Sequence, residues 1–416
     1  MLLATGSAVL YVCLFIALYF QVFMLVSFID ARRRGGAVTA KATAETIDDA
    51  SLPLVAIVVP CFNEERTVCA TVDSLLALEY PAEKLEIIVV DDGSTDDTLR
   101  VVGKYADYGR VRVFHKNNGG KYTAMNYALA ATRADLIGCL DADSVVAPTA
   151  LKRIVPIFGN ERVAAVTPGI LIKKPETALQ HMQDAEYSLS VFNRFTLAAL
   201  GSAFITPGPF SIFRARVVRE TGGWRHGHYT EDMEMALRIQ EKGYLIANAP
   251  AATVHTGTPR TLRALIRQRV RWTYGFIRNS IDYRHMFGSG KYGNLGMIIL
   301  PMSLVSIGAA IFFFLRFIYY AVQGIVNIFE RYEFLGLSFH PVLDPFYLNT
   351  SALLLIIYTA IALVLVLIAL GAGLGTGKRR LPAGTPLFIV FYSLLVPMWL
   401  SIAVVRALLK TGVKWR

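Results

Sequence analysis

A chain of 416 residues in which 54% are apolar, with a mean hydropathy of +0.45, is too hydrophobic for an ordinary soluble enzyme. The apolar excess lies at the two ends, which describes a membrane protein with a soluble middle. A net charge of +11 suits anionic lipid headgroups or nucleotide phosphates beside such spans, and nucleic acid is not expected as a partner.

The first apolar run, residues 6–29, is long enough to cross a hydrocarbon core of ~30 Å, and Arg32, Arg33 and Arg34 follow it directly. The positive-inside rule places the middle of the chain in the cytosol. No basic stretch precedes the run and no clear small-residue cleavage site precedes the arginines, so it reads as a retained anchor rather than a cleaved signal. A polar linker at 30–52, rich in Ala and Thr, separates it from the middle.

From residue 53 onward, β-branched apolar runs alternate with helical patterns: "LVAIVVP" at 54–60, "EIIVV" at 86–90, "VRVFH" at 111–115 and "DLIGCL" at 135–140. Between them "ERTVCATVDSLLAL" and "KYTAMNYALAAT" carry apolar residues at helical spacing. Such a β-α-β series predicts an α/β domain over 53–260, a mainly parallel sheet with helices on both faces and ligands bound beyond the carboxyl ends of its strands. Acidic motifs stand at those ends: "PCFNEE" (60–65), "DDGSTDD" (91–97) and "DADS" (141–144). Each also reads as turn and helix-cap chemistry, and it is their gathering on one rim that favours function. Asp141 and Asp143, two apart at a strand end, offer hard oxygen ligands suited to Mg²⁺ or Mn²⁺ bridging to phosphates. Cys13, Cys61, Cys69 and Cys139 show neither metal spacing nor a disulfide framework and read as reduced thiols.

Residues 178–195 read as a helix with a mixed apolar and aromatic surface, lying on a membrane or packed on the domain. "YTEDMEMALRIQEKGY" (229–244) predicts a helix capped by Thr230 with Glu231 and Asp232 in its first turn. Those carboxylates serve the helix dipole, or one of them acts as a general base; physical chemistry alone does not separate Asp232 from Glu231. His255 in "ATVHTG" reads first as an ordinary hydrogen-bonded histidine and second as a neighbour of a metal or phosphates. At 261–292 interfacial helices are expected, holding "QRVRW" at 268–272. There Gln268, Arg271 and Trp272 share a helical face and Arg269 points elsewhere. That face presents an amide, a guanidinium fit for a diphosphate and an aromatic plate fit for a sugar; an interfacial helix with arginines at headgroups is the plainer alternative.

A C-terminal membrane region at 293–411 holds apolar stretches at 294–321, 348–372 and 386–409, about three spans, with an outside loop at 322–347. Lys378, Arg379 and Arg380 belong inside, yet a full last span puts Lys410, Lys414 and Arg416 outside. Either the last segment is re-entrant or a span is miscounted.

In order, "PCFNEE", "VVDDGSTDDT", "NNGGKYTAMNYAL", "DADS", "TED" and "QRVRW" resemble the family 2 inverting glycosyltransferases, above all the membrane synthases of poly-N-acetylglucosamine, chitin and hyaluronan. The resemblance covers residues 53–280 and the flanking spans. It implies a GT-A fold, a UDP-sugar donor, with UDP-GlcNAc the first expectation, and a plasma-membrane enzyme with its catalytic domain in the cytosol. By position it implies that Asn63, Glu64 and Asp91 or Asp92 hold the uridine, with Lys121 near the nucleotide. Asp141 and Asp143 would form the metal motif, Asp143 the direct ligand to Mg²⁺ or Mn²⁺. Asp232 would be the base beside Glu231, Arg271 would steady the departing diphosphate, and Trp272 and Gln268 would hold the acceptor. No "FxVTxK"-like loop follows the spans, which argues against cellulose as product. The expected function is processive extension of a glycan through the membrane, with an accessory export subunit as a possible partner. The alternative is transfer of one sugar to a lipid or lipid-linked acceptor.

Overall fold

A computed structural model describes residues 2–34, 51–335 and 351–412; most of the linker, at 35–50, the connection at 336–350 and the tail from 413 lie outside the described residues. Strands β1 (Val55–Cys61), β2 (Leu85–Asp91), β3 (Val111–His115), β4 (Leu136–Cys139), β5 (Val145–Val146), β6 (Val163–Ile172), β7 (Ser211–Arg214) and β8 (Leu245–Thr256) make one sheet, ordered β3-β2-β1-β4-β7-β6-β8-β5. Helices α1 (Leu2–Arg33), α2 (Val68–Leu76), α3 (Thr98–Gly103), α4 (Lys121–Ala131), α5 (Ala150–Ile154) and α6 (Ala178–Ala199) are followed by α7 (Ala215–Glu220), α8 (Glu231–Glu241) and α9 (Leu262–Asp282). The chain then runs through α10 (Leu300–Leu335), α11 (Ala352–Thr376) and α12 (Thr385–Leu408).

The first four strands are mutually parallel, as their unbroken apolar runs require of strands covered on both faces. Alternate residues serve opposite cores: Val55, Ile57 and Val59 pack with Val68, Val72 and Leu151 of α2 and α5, while Ala56 and Val58 pack with Met125 and Met235 of α4 and α8. Beyond β4 the sheet is mixed, because β7 enters antiparallel to both β4 and β6 and β5 antiparallel to β8. The mainly parallel sheet expected from the sequence therefore holds for the half that was legible as β-α-β units. Strand order reverses at β1, flanked by β2 and β4, which opens the crevice at which ligands bind in such sheets.

Four helices are long and apolar enough to cross a membrane, at Val9–Arg33, Leu295–Glu330, Ala352–Thr376 and Thr385–Leu408. The second of these runs extends well past residue 321, since α10 continues to Leu335 where a loop was expected from 322. Three of the apolar helices are keyed to α6. Met24 and Phe28 of α1 and Leu367 of α11 pack around Phe192 and Phe195, and Gly371 brings α11 so close that a Cβ there would lie 1.9 Å from the Ser188 carbonyl oxygen. Gly384, which precedes α12, lies against the His181 backbone, where a Cβ would meet the carbonyl oxygen at 2.1 Å.

The apolar helix α12 does not lead away from the α/β domain. Tyr392, Trp399, Leu400 and Ala403 pack on Met182 of α6 and on Leu265 and Val270 of α9, and Tyr392 Oη donates to Glu186 Oε2 at 2.9 Å. Its far end returns as well: Ala407 packs on Tyr274, and a Cβ at Gly412 would sit 3.7 Å from Tyr229 Oη.

Candidate active site

The strand ends deliver the acidic groups to one rim, each by its own local device. After β1, Asn63 turns the chain with φ of 56°, a left-handed conformation that Asn tolerates. Its amide nitrogen donates to Ser94 Oγ at 2.9 Å and its Oδ1 accepts from the Thr95 amide at 2.8 Å, so "CFNE" and "DGST" brace each other. The Glu64 amide donates to Thr98 Oγ1 at 2.8 Å, and Glu64 Oε2 accepts from Thr67 Oγ1 at 2.8 Å. Asp91, fully buried, has His115 Nδ1 at 2.6 Å from its Oδ2. Asp92 accepts from the Gly119 and Gly120 amides at 3.1 and 2.8 Å and from Lys116. It thereby shapes the turn that launches α4, whose first residue is Lys121.

Lys121 is the hub. Its ammonium donates to Asp141 and lies 3.7 Å from Glu231 Oε1. Burial works against that charge, but Asp141 and then Glu231 more than offset it and hold the ammonium protonated well above its ordinary range. Around this pair a recess is lined by Lys121, Met125, Cys139, Thr206, Pro207, Gly208, Ser211, Phe213, Trp224, Glu231 and Asp232. Burial pushes the Cys139 thiol up to about 12, which keeps it protonated and removes it as a nucleophile.

Asp232 lies in the first turn of α8, its Oδ1 accepting from the Met233 amide at 2.8 Å. Thr206 Oγ1 donates to the Asp232 carbonyl oxygen at 2.8 Å, tying the recess floor to the helix start. Burial first, and the neighbouring Glu231 charge second, raise the Asp232 carboxyl to about 6, against the pull of Lys121 and Arg271. Thr230 precedes α8 as expected, yet its hydroxyl does not cap the helix; it donates to the Gly227 carbonyl oxygen at 3.0 Å instead. Burial draws the Arg271 guanidinium down from its ordinary value, and the carboxylates of Glu231, Asp232 and Asp141 offset part of that effect. Lys121, Asp141, Glu231, Asp232 and Arg271 thus form one electrostatic cluster, supplied by the starts of α4 and α8, the end of β4 and α9.

The rest of the "QRVRW" face stands apart from the recess. Gln268 Oε1 accepts from Arg269 Nη1 at 2.9 Å, and Trp272 is 39% exposed with the Arg269 guanidinium 4.3 Å from its ring centre. Arg269 itself is buried and donates to Glu186 Oε2 at 2.6 Å, away from the carboxylate cluster. His255 lies opposite Val145 in the β5–β8 pair, and burial followed by Lys173 lowers its pKa, so it is neutral.

The donor set at "DADS" fits a divalent cation. Asp143 accepts from Ser144 Oγ at 3.0 Å, and burial followed by the Asp141 charge lifts its carboxyl to about 6, the response of a buried carboxylate that a cation would relieve. Gly257 leaves room beside it, with a Cβ there 3.4 Å from Asp143 Oδ2. Among the described residues no group of three His, Cys, Asp or Glu side chains is placed to hold a metal ion, so a cation here would take its other ligands from phosphate and water, the common habit of Mg²⁺.

Residues 53–275 match the family described as "Glycosyltransferase like family 2". The chain belongs to that family. Among curated relatives, it is 30% identical over 269 residues to a beta-monoglucosyldiacylglycerol synthase of Nostoc sp., covering 62% of this chain and 58% of the relative. It is also 30% identical over 249 residues to a poly-beta-1,6-N-acetyl-D-glucosamine synthase of Staphylococcus aureus, covering 59% of this chain and 60% of the relative. The chain therefore spans about three-fifths of the length of these relatives. A mannosyltransferase from Pyrobaculum calidifontis, solved with GDP-Man and Mn²⁺, shares the fold with a TM-score of 0.56 at 19% identity, over 96% of this chain and 100% of the other. The family 2 domain has a GT-A type fold.

Two parts of this candidate site were not singled out from the sequence. Gly208 presses on the Lys121–Asp141 pair, and Thr206 anchors Asp232. The Pro/Gly punctuation of "TPGPF" ahead of a strand was the available signal.

Proposed function

We propose that the chain is an inverting, metal-dependent glycosyltransferase that uses a UDP-sugar and works at the cytosolic face of the plasma membrane. The observation that carries this reading is that Asp232, raised to about 6, lines one recess with Lys121 and Glu231 and is coupled electrostatically to Arg271, while Lys121 donates to Asp141. Asn63, Glu64, Asp91 and Asp92 stand on the β1–β2 side of the rim, where a uridine would lie, and Lys121 stands nearer the phosphates. Asp143, with Asp141 beside it, would hold Mg²⁺ or Mn²⁺, which when bound offsets charge on the diphosphate.

In the transfer, the acceptor hydroxyl oxygen bonds to the anomeric carbon on the face opposite the diphosphate. The carbon–oxygen bond to phosphate breaks with its electron pair on the UDP side, and Asp232 receives the hydroxyl proton. Arg271 meets the negative charge that grows on the diphosphate. One displacement inverts the configuration. A base near 6 is mostly ionised at neutral pH, so turnover should rise as pH climbs through about 6 and level off above it.

The acceptor would sit at Trp272 and Gln268. A growing N-acetylglucosamine polymer is the first reading, supported by the likeness to the poly-N-acetylglucosamine synthase. Transfer of a single sugar to a lipid is the second, favoured by the return of α12 to the domain, which leaves fewer helices to enclose a glycan path. Purified protein in lipid nanodiscs, given Mn²⁺ and radiolabelled UDP-GlcNAc, UDP-GlcA and UDP-Glc singly and in pairs, separates them. High-molecular-weight product from UDP-GlcNAc alone supports the polymer; a lipid-extractable product bearing one sugar supports the second reading. No turnover with any UDP-sugar would remove the donor assignment.

Asp143→Ala is expected to weaken UDP binding about tenfold in Mn²⁺ and to leave binding in EDTA unchanged, as titration calorimetry would measure. An unaltered Mn²⁺ response would refute Asp143 as the ligand. Trp272→Ala should slow glycan extension about tenfold while sparing donor hydrolysis, since loss of an aromatic plate affects the sugar stacked on it and not the nucleotide. Equal losses in both assays would count against an acceptor role.

A further inference from the structure

Ahead of Asp232 the backbone takes an unusual path. Gly227, His228 and Tyr229 are three successive residues in the left-handed region, with φ of 53°, 51° and 71°. Two of them carry side chains that disfavour it, and such conformations persist only where the surroundings impose them.

Here the surroundings are largely one helix. The Gly227 carbonyl oxygen accepts from the Thr230 amide at 2.9 Å, from Thr230 Oγ1 at 3.0 Å and from Asn279 Nδ2 of α9 at 3.0 Å. Asn279 Nδ2 also donates to Thr230 Oγ1 at 2.9 Å, and Asp282 Oδ2 lies 2.7 Å from His228 Nε2. Gly275 permits this approach, since a Cβ there would stand 2.2 Å from Thr230 Oγ1. Asn279 is buried, and its Oδ1 is left without a hydrogen bond. A buried unsatisfied acceptor is unfavourable, so the orientation of this amide is set by what its nitrogen holds.

Arg271, Gly275, Asn279 and Asp282 are spaced by four, four and three residues and form one stripe of α9. The stripe that brings Arg271 among the carboxylates therefore also grips the turn from which Glu231 and Asp232 emerge. We propose that Asn279 is a positioning residue for the general base: it touches neither carboxylate but locks the left-handed turn that fixes where α8 begins, and so where Asp232 stands relative to Arg271. The proposal rests on Asp232 being the base.

The test uses the full chain in nanodiscs with the sugar nucleotide that the wild type turns over, and UDP as the binding probe. Asn279→Ala is expected to lower kcat about 10- to 100-fold, the cost of a small misplacement at the reacting groups, with KM for the donor and UDP affinity within about twofold. Thr230→Val, which removes the hydroxyl and keeps the shape, should lower kcat likewise, and Thr230→Ser should restore it. Should Asn279→Ala fail to fold, the Thr230 pair decides. Wild-type kcat in Asn279→Ala, a parallel loss of UDP affinity, or a Thr230→Ser as impaired as Thr230→Val would each overturn the proposal. Asp232→Asn is measured alongside. Turnover by that variant removes the base and the proposal with it, whereas an inactive Asp232→Asn beside a fully active Asn279→Ala removes the proposal alone.

Discussion

Asp232→Asn is expected to lose sugar transfer by about 10²- to 10⁴-fold, the usual contribution of a general base, and at the same time to melt at a higher temperature than the wild type near neutral pH. The second half follows from the environment that makes Asp232 a base. Its carboxyl, raised to about 6 by burial and by Glu231, holds its proton more tightly in the folded chain than in the unfolded one. Stability from such a group is fully present below the ordinary aspartate range and is lost as pH climbs to about 6. Above that point the folded protein carries an ionised buried carboxylate, a cost of about 3 kcal/mol at most. Asparagine keeps the shape without the charge. Melting curves of the two proteins should therefore separate near pH 8 and converge toward about pH 4, where both side chains are neutral. Unimpaired transfer would remove Asp232 as base, and identical melting curves across that range would show that burial does not tune it.

Gly208→Ala is the sharper probe of the recess, because a single methyl group is aimed at its central ion pair. A Cβ at Gly208 would lie 2.3 Å from Lys121 Nζ and 2.7 and 2.8 Å from the two Asp141 carboxylate oxygens. Gly208 is not among the glycines with positive φ, so alanine is no strain on the backbone. The methyl is accommodated by displacing the Lys121 ammonium from Asp141 and Glu231. Turnover should fall about 100-fold, as misplacement by about 1 Å does, with little change in melting temperature. Gly109→Ala, whose Cβ would meet nothing within 4 Å, is the matched control and should behave as wild type. If Gly208→Ala retains full activity, the Lys121–Asp141–Glu231 arrangement is not part of the catalytic geometry.

The parallel half of the fold was legible because strands buried on both faces, such as Val55–Cys61 and Leu85–Asp91, must be apolar throughout, and the acidic residues begin where that burial stops. The antiparallel half was not. β5 is two residues long and β7 four, too short to show a period, and their directions are set by pairing across long connections. The cluster around Lys121 was readable as a list of chemical types but not as an arrangement. Gly208 and Asn279 lie far from "DADS" and "TED" along the chain, and glycine and asparagine carry no chemical signature of their own. The apolar helices show a different limit. A segment such as Thr385–Leu408, apolar all round, reads the same whether its neighbours are lipid or protein, and only the contacts of Tyr392, Trp399 and Ala407 reveal that protein covers one side.

α12 is long and apolar enough to cross a bilayer and also lies against α6 and α9, so the number of crossings turns on this one helix. Were it to stay on the side of the domain, α1, α10 and α11 would make three passages, and the beginning of α1 and the end of α12 would face opposite sides. In sealed vesicles, a protease or an epitope antibody applied from outside would then reach one of these two ends and be barred from the other.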